Sequence, residues 1–358
     1  MEIHVDASRA CVSAPTGVGI YVCEIIRALV AAHPEDQFFL YAPAWAKSEK
    51  CIDTPNVSWK FLPWPPKYLW TQVCLSFAWA RAARTKTKKV FFTPGHVAPF
   101  FAPRNLVITI HDIAFFWDSE SYSWSEKLFA KLMTRRNIFC AKKILVPSNE
   151  TKNKLIELLH VAPEKIVVTP LALPIAAEPS AFLPAVAAAR YILAVGRVEY
   201  KKGIDRLVRA FEKINTATGA QLLLAGPPGV GYEKIKLQIA ASPAHSAIHE
   251  LGFVDNATRA ALYEHAAVFV FPTRYEGFGL PLLEAFAASV PVVAWDSGSV
   301  CEVADEAAKI VSSEDELSAA VITLLQNETA RHELISRGRE RLQNFSWEKT
   351  AALTYRAL

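Results

Sequence analysis

Arg274-Tyr275-Glu276-Gly277-Phe278-Gly279-Leu280-Pro281-Leu282-Leu283-Glu284 is the stretch on which the reading of this chain turns. The apolar run Ala266-Ala267-Val268-Phe269-Val270-Phe271-Pro272 leads into it and predicts a buried strand. Two glycines flank Phe278, and Pro281 stands where a helix would open, since its fixed φ suits the first helical position. Strand, glycine turn and helix N-terminus in succession aim backbone N–H groups and a positive dipole end at whatever lies beyond the strand. Glu276 and Glu284, one on each side of the turn, add acceptors for hydroxyl groups. The pattern fits a polyhydroxylated, anionic ligand such as a sugar nucleotide. Taken alone, the carboxylates also read as ordinary complements of a helix dipole, so the neighbouring segments must decide.

Outward from this stretch, strand-like and helix-like runs alternate along the chain. The first half predicts strands at Ile3–Asp6, Gln37–Tyr41, Val90–Phe92, Leu106–Ile110, Ile144–Pro147 and Ile166–Thr169, with helices at Gly19–His33, Tyr122–Cys140 and Asn149–His160. The second predicts strands at Tyr191–Val195, Gln221–Ala225, Ile248–Leu251, Val268–Phe271 and Pro291–Ala294. Its helices are expected at Gly203–Thr216, Asn256–His265, Pro281–Ala288 and Glu314–Gln326. Such alternation predicts parallel α/β sheets with crossover helices. Pro170-Leu171-Ala172-Leu173-Pro174, followed by Pro179 and Pro184, reads as a linker. The expected division is residues 1–172, a linker over 173–189, a second domain over 190–344 and a terminal helix over 345–358 that docks away from its own domain. Each half is then a doubly wound domain, with ligands expected at the carboxyl ends of the strands, facing an interdomain cleft.

Composition narrows the classes. The 358 residues suit two domains, and 52% apolar content supplies two cores. A net charge of +4 with scattered bases gives no nucleic-acid signature. Cys11, Cys23, Cys51, Cys74, Cys140 and Cys301 lack metal-like spacing and read as reduced thiols of a cytoplasmic protein. The opening strand does not have the layout of a signal peptide, and no stretch reaches the roughly 18 apolar residues of a membrane span.

Several smaller constellations bear on chemistry. Gly196-Arg197 follows the strand Tyr191–Val195, with Lys201-Lys202-Gly203 close behind. A guanidinium fork and a mobile ammonium at the mouth of a strand can neutralise a diphosphate and stabilise its charge as it departs; the alternative is a solvated turn. Gly17-Val18-Gly19 opens a helix and permits close backbone approach, though the dinucleotide fingerprint is incomplete. His111-Asp112 ends the strand Leu106–Ile110, where His111 could reach a sugar hydroxyl or be satisfied by its own loop. Asp112 reads as an N-cap or as a partner fixing the imidazole. Trp64-Pro65-Pro66-Lys67-Tyr68-Leu69-Trp70 and the bases Arg81, Arg84, Lys86, Lys88 and Lys89 fit either a membrane-facing edge or a packed core with a solvated face. The remaining histidines lack metal spacing, and no DxD-like motif is present.

Together these residues resemble the GT-B glycosyltransferases of family 4, a retaining group with an E-x7-E element, here Glu276 to Glu284. Supporting matches are Gly196-Arg197 with Lys202, Leu251-Gly252-Phe253-Val254, Leu262-Tyr263 and Thr16-Gly17-Val18-Gly19-Ile20-Tyr21, in family order over nearly the whole chain. The resemblance implies two Rossmann-like domains. It implies donor-sugar contacts by Glu276, ribose contact by Glu284, and diphosphate contacts by Arg197 and Lys202. Amides around Gly277, Phe278, Gly279 and Leu280 would support sugar and phosphate, and Phe253-Val254 would meet the base. His111 would stand near the reacting carbon and Gly17 and Gly19 on the acceptor side. It further implies metal-independent, cofactor-free transfer. One departure is Cys301-Glu302 where the family often has Pro-Glu.

Within that group the N-terminal half looks most like bacterial mannosyltransferases of O-antigen or exopolysaccharide assembly. The expected reaction is therefore transfer of mannose from GDP-mannose to a hydroxyl of a lipid-linked or oligosaccharide acceptor, by an enzyme peripheral to the cytoplasmic face of the inner membrane. UDP-sugar donors, a sugar-nucleotide epimerase and a non-catalytic sugar-nucleotide-binding protein are the rivals.

Overall fold

The apolar runs form two parallel sheets in the computed structural model, which describes residues 1–11, 17–47, 50–63, 69–84, 88–116, 124–174, 179–180 and 184–358. The first sheet contains β1 (Glu2–Asp6), β2 (Gln37–Pro43), β3 (Val57–Leu62), β4 (Lys89–Thr93), β5 (Leu106–Thr109), β6 (Lys143–Val146) and β7 (Ile166–Val168). Their spatial order is β3-β2-β1-β4-β5-β6-β7. The second contains β8 (Tyr191–Val195), β9 (Gln221–Ala225), β10 (Ile248–Gly252), β11 (Val268–Phe271), β12 (Val292–Trp295) and β13 (Ala308–Val311), ordered β10-β9-β8-β11-β12-β13. The sheets lie in separate units. Met1–Ile113, Ser125–Pro174 and Phe345–Leu358 make up one; Ala114–Trp124 and Ile175–Asn344 make up the other.

Crossover helices cover the faces of a parallel sheet, which is why its strands are near-continuous apolar runs. In the second unit Ile192, Leu222, Val268, Val270 and Val293 are inaccessible to solvent. Helix Ile204–Thr218 lays Leu207, Val208, Phe211 and Ile214 on the same core, at spacings of one helical face. Phe211→Ala would cost about 3–5 kcal/mol there. In both sheets the order reverses once, between β1 and β4 and between β8 and β11. Crevices at such reversals are where doubly wound sheets bind ligands.

A ring ladder marks the centre of the first sheet. His4 on β1 is in register with Phe39 on β2 and Phe91 on β4. Its imidazole stacks on both rings, with centroids 4.8 and 4.9 Å away, and its Nδ1 meets the Tyr41 hydroxyl at 2.9 Å. Burial, aided by the charge of Lys89, holds its pKa down to about 4 from 6.5. Lys89 in turn pairs with its register partner Glu2 at 2.9 Å.

The last helix, Trp347–Ala357, packs along Gly17–Ala32. Trp347 Nε1 donates to the Leu173 carbonyl at 2.8 Å, and the Tyr355 hydroxyl donates to Asp36 Oδ2 at 2.7 Å. His33 stacks on the Tyr355 ring with centroids 3.4 Å apart. Among the described residues His33, Glu35 and Asp36 could in principle hold a cation, but their atoms already serve this docking: the Met1 ammonium also sits on Asp36, and His33 Nδ1 faces Glu35 at 3.4 Å.

Strands β3 and β13 and helices Tyr232–Ala241 and Glu328–Leu342 go beyond the sequence reading. The strands are sheet edges interrupted by Lys60 and Lys309, and the helices carry no clean apolar stripe. Trp70 is buried and Lys89 is paired, so neither belongs to a membrane-facing edge; Trp64–Tyr68 and Lys86 lie outside the described residues. Much of the proline-spaced linker does too. None of the six cysteines is joined in a disulfide, and Cys11 is buried.

Because the folded pKa of His4 lies below its unfolded value, the stability it confers is present above pH 6.5 and is lost as pH falls toward 4. The full penalty is about 3 kcal/mol. His4→Phe should reduce the fall in melting temperature between pH 7 and pH 4, as followed by circular dichroism. A slope identical to wild type would contradict this role.

Candidate functional site

In the second unit, the loops that follow β8 and β11 flank the order reversal, and a set of close contacts binds one to the other. Gly203 closes the first loop at φ +67°, and a Cβ there would fall 1.8 Å from the Pro272 carbonyl oxygen. Only glycine allows that approach. The Arg274 amide and the Thr273 hydroxyl both donate to the Lys201 carbonyl, at 2.8 and 3.1 Å. The Arg274 guanidinium donates to the Tyr200 carbonyl at 2.6 Å and to both Asp205 oxygens, at 2.6 and 2.8 Å. Asp205 stands in the first turn of helix Ile204–Thr218 and is buried. Burial pushes its carboxyl up, but the bonds and charge of Arg274, joined by Arg209, outweigh it and hold it below the usual carboxylate value.

This brace sets Lys202 against Glu276: the Lys202 ammonium is ion-paired to Glu276 Oε1, and both side chains are partly exposed. A third loop, after β12, supports Glu276 from behind. The Ser299 hydroxyl donates to the Glu276 carbonyl at 3.0 Å and the Ser297 hydroxyl to the Thr273 carbonyl at 2.7 Å. Gly298, at φ +50°, leaves room for the Glu276 carbonyl. Gly279, at φ +99°, turns the chain into helix Leu280–Ala287, which starts one residue earlier than the sequence suggests, with Phe278 packed inside.

Glu284 therefore sits in the second turn of this helix, and its explanation as a first-turn dipole complement is wrong. Its side chain is mostly buried and meets Arg259 at 3.1 Å, with a hydrogen bond from Tyr263. Arg259 and Tyr263 are one turn apart on helix Asn256–Glu264, whose N-cap is Asp255. Burial raises the Glu284 carboxyl above its ordinary value, and the Arg259 charge and the Tyr263 bond offset this only in part.

Arg197 is exposed just beyond β8, where the chain runs beside the loop after β9: Val198 N donates to the Pro227 carbonyl at 3.0 Å. Phe253 is 68% exposed beyond β10, after Gly252 turns the chain at φ +64°, and Val254 follows it. In the first unit, Gly17 and Gly19 begin helix Gly17–Ala32; Thr16 lies outside the described residues. His111 follows β5, and its Nε2–H donates to the Pro94 carbonyl at 2.8 Å, which leaves the lone pair on Nδ1. Burial holds its pKa down to about 4, so the ring is neutral at physiological pH. Tyr21, whose hydroxyl meets Thr109 at 3.0 Å, stands edge-on to this ring with centroids 4.8 Å apart. The structure thus brings Lys202 and Glu276 together and gives Glu284 its own partners. Asp205, Arg259 and the Ser297–Ser299 loop are supports that spacing alone did not reveal. The only sequence signal for Asp205 and Arg259 is a charge on an otherwise core-directed helical face.

Two Rossmann-like units, one with a cation–carboxylate pair at its reversal point, define the GT-B class. Solved structures agree on that fold. Sucrose-phosphate synthase from Thermosynechococcus elongatus superimposes with a TM-score of 0.75 at 20% identity over 99% of this chain and 98% of its own. HepE from Anabaena, in complex with UDP and glucose, gives 0.72 at 17% identity over the whole of both chains. Residues 15–176 match the glycosyltransferase family 4 model and residues 181–341 the model of glycosyl transferases group 1. O-antigen chain mannosyltransferase B of Escherichia coli is 30% identical over 277 residues, 73% of each chain. MMP alpha-(1->4)-mannosyltransferase of Mycolicibacterium hassiacum is 29% identical over 59% of this chain and 52% of its own. The chain belongs to the group 1, family 4 glycosyltransferases and is a transferase.

Two outcomes follow. Arg274→Ala leaves buried Asp205 with Arg209 as its remaining cationic partner and removes its bidentate bonds, and should lower unfolding stability by about 1.5–3 kcal/mol in urea titration; a loss under about 1 kcal/mol, typical of exposed pairs, would contradict the brace. For Glu284 the folded pKa is raised, so any stability tied to its protonated form is lost as pH rises through that value. Glu284→Gln should therefore gain melting temperature relative to wild type as pH rises from 5 to 8, and an unchanged difference across that range would contradict it.

Proposed function

We propose that the enzyme transfers mannose from GDP-mannose, with retention of anomeric configuration, to a hydroxyl of a lipid-linked saccharide in surface-polysaccharide assembly. The observation that carries glycosyl transfer is the braced Lys202–Glu276 pair beside the start of helix Leu280–Ala287. A partly exposed ion pair contributes little by itself, up to about 1 kcal/mol, so a ligand that satisfies both members can exchange with it. A diphosphate suits Lys202 and Arg197, and a sugar hydroxyl suits Glu276. In this reading Glu284, which Arg259 and Tyr263 hold, takes the ribose, the amides at Gly277–Leu280 take sugar and phosphate, and Phe253-Val254 meets the base. No metal or cofactor is required in this reading.

In the transfer, the acceptor oxygen bonds to the sugar C1 as the bond from C1 to the diphosphate oxygen breaks. The acceptor proton passes to the departing diphosphate on the same face. Lys202 and Arg197 meet the negative charge that grows there. Gly17 and Gly19 stand on the acceptor side, and neutral His111, with its lone pair on Nδ1, serves as a hydroxyl acceptor near the transferred sugar.

Mannose is favoured by the relatives, since mannosyltransferases of O-antigen chains recur among them, including RfbU of Salmonella typhimurium at 26% identity over 233 residues. UDP-sugars are the second reading, favoured by UDP-bound neighbours that share the fold alone. The test is thermal shift with GDP-mannose and UDP-sugars, followed by mass-spectrometric detection of transfer. GDP-mannose should raise the melting temperature, and Lys202→Ala should weaken its binding roughly tenfold or more. A shift with UDP-glucose alone would overturn the donor. Epimerised donor without acceptor, or intact surface glycan in cells carrying Glu276→Ala, would overturn the reaction.

A further inference from the structure

One carboxylate of the second unit is buried with no group to balance it. Glu199, two residues beyond Arg197, is 9% exposed, and among the described residues it makes no hydrogen bond and no ion pair. Such a group is costly, since its charge is desolvated and nothing in the folded chain offsets the loss. The backbone holds it in place. Val198 is bridged in parallel to Pro228: Val198 N donates to the Pro227 carbonyl and Gly229 N to the Val198 carbonyl, each at 3.0 Å. Val198 belongs to the apolar core, and successive side chains of a ladder point to opposite faces, so Arg197 and Glu199 share the face turned away from that core. The Glu199 side chain lies against Gly229, where an added Cβ would fall 2.3 Å from Oε2 and 2.8 Å from the Glu199 Cβ.

The loops after β8, β9 and β10 stand side by side, because their strands are neighbours in the order β10-β9-β8. In the reading above the diphosphate rests on Arg197, after β8, and the base meets Phe253-Val254, after β10. A nucleoside that spans the two crosses the loop after β9, where Gly229 carries the Glu199 carboxylate on its surface. A carboxylate only accepts hydrogen bonds, so a base on this path must bring donors to it. Guanine presents two adjacent donors on one edge, N1–H and the 2-amino group. Uracil sets N3–H between two carbonyl oxygens, and adenine and cytosine each place a ring-nitrogen lone pair beside the amino group. Of these bases only guanine lets both oxygens accept without facing a lone pair.

We propose that Glu199 selects the nucleotide of the donor, its two carboxylate oxygens accepting from N1–H and the 2-amino group of guanine. Hydrogen bonds to an ionised acceptor are roughly twice as strong as neutral ones. A site built around a buried polar group also rejects an analogue that leaves that group unpaired, which is the larger part of its discrimination. Bound guanine gives Glu199 the partners that the folded chain withholds. The proposal rests on the GDP-sugar reading of the donor and deepens it: the relatives favour GDP-mannose by kinship, and Glu199 favours it by chemistry.

Titration calorimetry of the full chain with GDP, inosine diphosphate and UDP tests it. Inosine diphosphate keeps N1–H and lacks the 2-amino group, so wild type should bind GDP roughly tenfold or more tighter than inosine diphosphate, and UDP more weakly than GDP. Glu199→Gln should bind GDP roughly tenfold or more weakly than wild type and lose most of the preference for GDP over inosine diphosphate. Gly229→Ala, which drives the carboxylate from its place without removing it, should lose the same preference. The melting temperature of Glu199→Gln without nucleotide should equal or exceed that of wild type, because Glu199 has no partner among the described residues to lose. A melting temperature lowered by several degrees would make the residue structural and overturn the proposal. So would a wild-type ratio of GDP to inosine diphosphate affinity in Glu199→Gln. GDP-mannose turnover by wild type beside that unchanged ratio sinks Glu199 alone, whereas a wild-type chain that binds UDP and ignores GDP sinks the donor reading with it.

Discussion

A buried carboxylate held by a guanidinium, Asp205 with Arg274, fixes the two loops on which the proposed donor site is built. Two loops leave adjacent strands at the point where the second sheet reverses its order, and nothing in the strands dictates where the loops should go. The bidentate pair, the Gly203 approach to Pro272 and the bonds onto the Lys201 carbonyl remove that freedom. Stability is not what such a pair chiefly provides, because desolvating two charges cancels most of their attraction. The apolar cluster of Leu207, Phe211, Leu222 and Val270 supplies the stability. The pair supplies register, and Lys202 and Glu276 take their places from it.

The two carboxylates of the opening motif differ in kind once their surroundings are known. Glu276 sits on a loop, partly exposed and paired with a lysine, where a ligand can replace one partner for another. Glu284 sits in a helix, largely buried, between an arginine and a tyrosine on the next helix. The first is suited to a group that changes during a reaction, the second to one that is held throughout. Equivalent spacing in sequence conceals this division of labour.

Much of the architecture was legible because parallel strands buried on both faces have a simple signature: Tyr191–Val195, Gln221–Ala225 and Val268–Phe271 coincide with β8, β9 and β11. What escaped lies where burial is one-sided. The edge strands β3 and β13 are each interrupted by a lysine, and helix Glu328–Leu342 is polar nearly all round. At the site, glycines and charges at strand ends gave Lys202, Glu276 and His111, but the partners of those residues come from distant turns. Asp205 reaches Arg274 across 69 positions and Lys202 reaches Glu276 across 74, and periodicity within one element cannot report such pairs. The neutral state of His111 was likewise unreadable, since it follows from burial and from the carbonyl of Pro94.

The most direct test of this account is a double-mutant cycle on GDP-mannose affinity, measured by titration calorimetry with Arg274→Lys, Glu276→Gln and the two combined. If Arg274 acts by placing the Lys202–Glu276 pair, each single change weakens binding and the double is little weaker than Glu276→Gln alone, a coupling of about 1 kcal/mol or more. Strictly additive losses, or an Arg274→Lys enzyme that binds the donor as well as wild type, would contradict it.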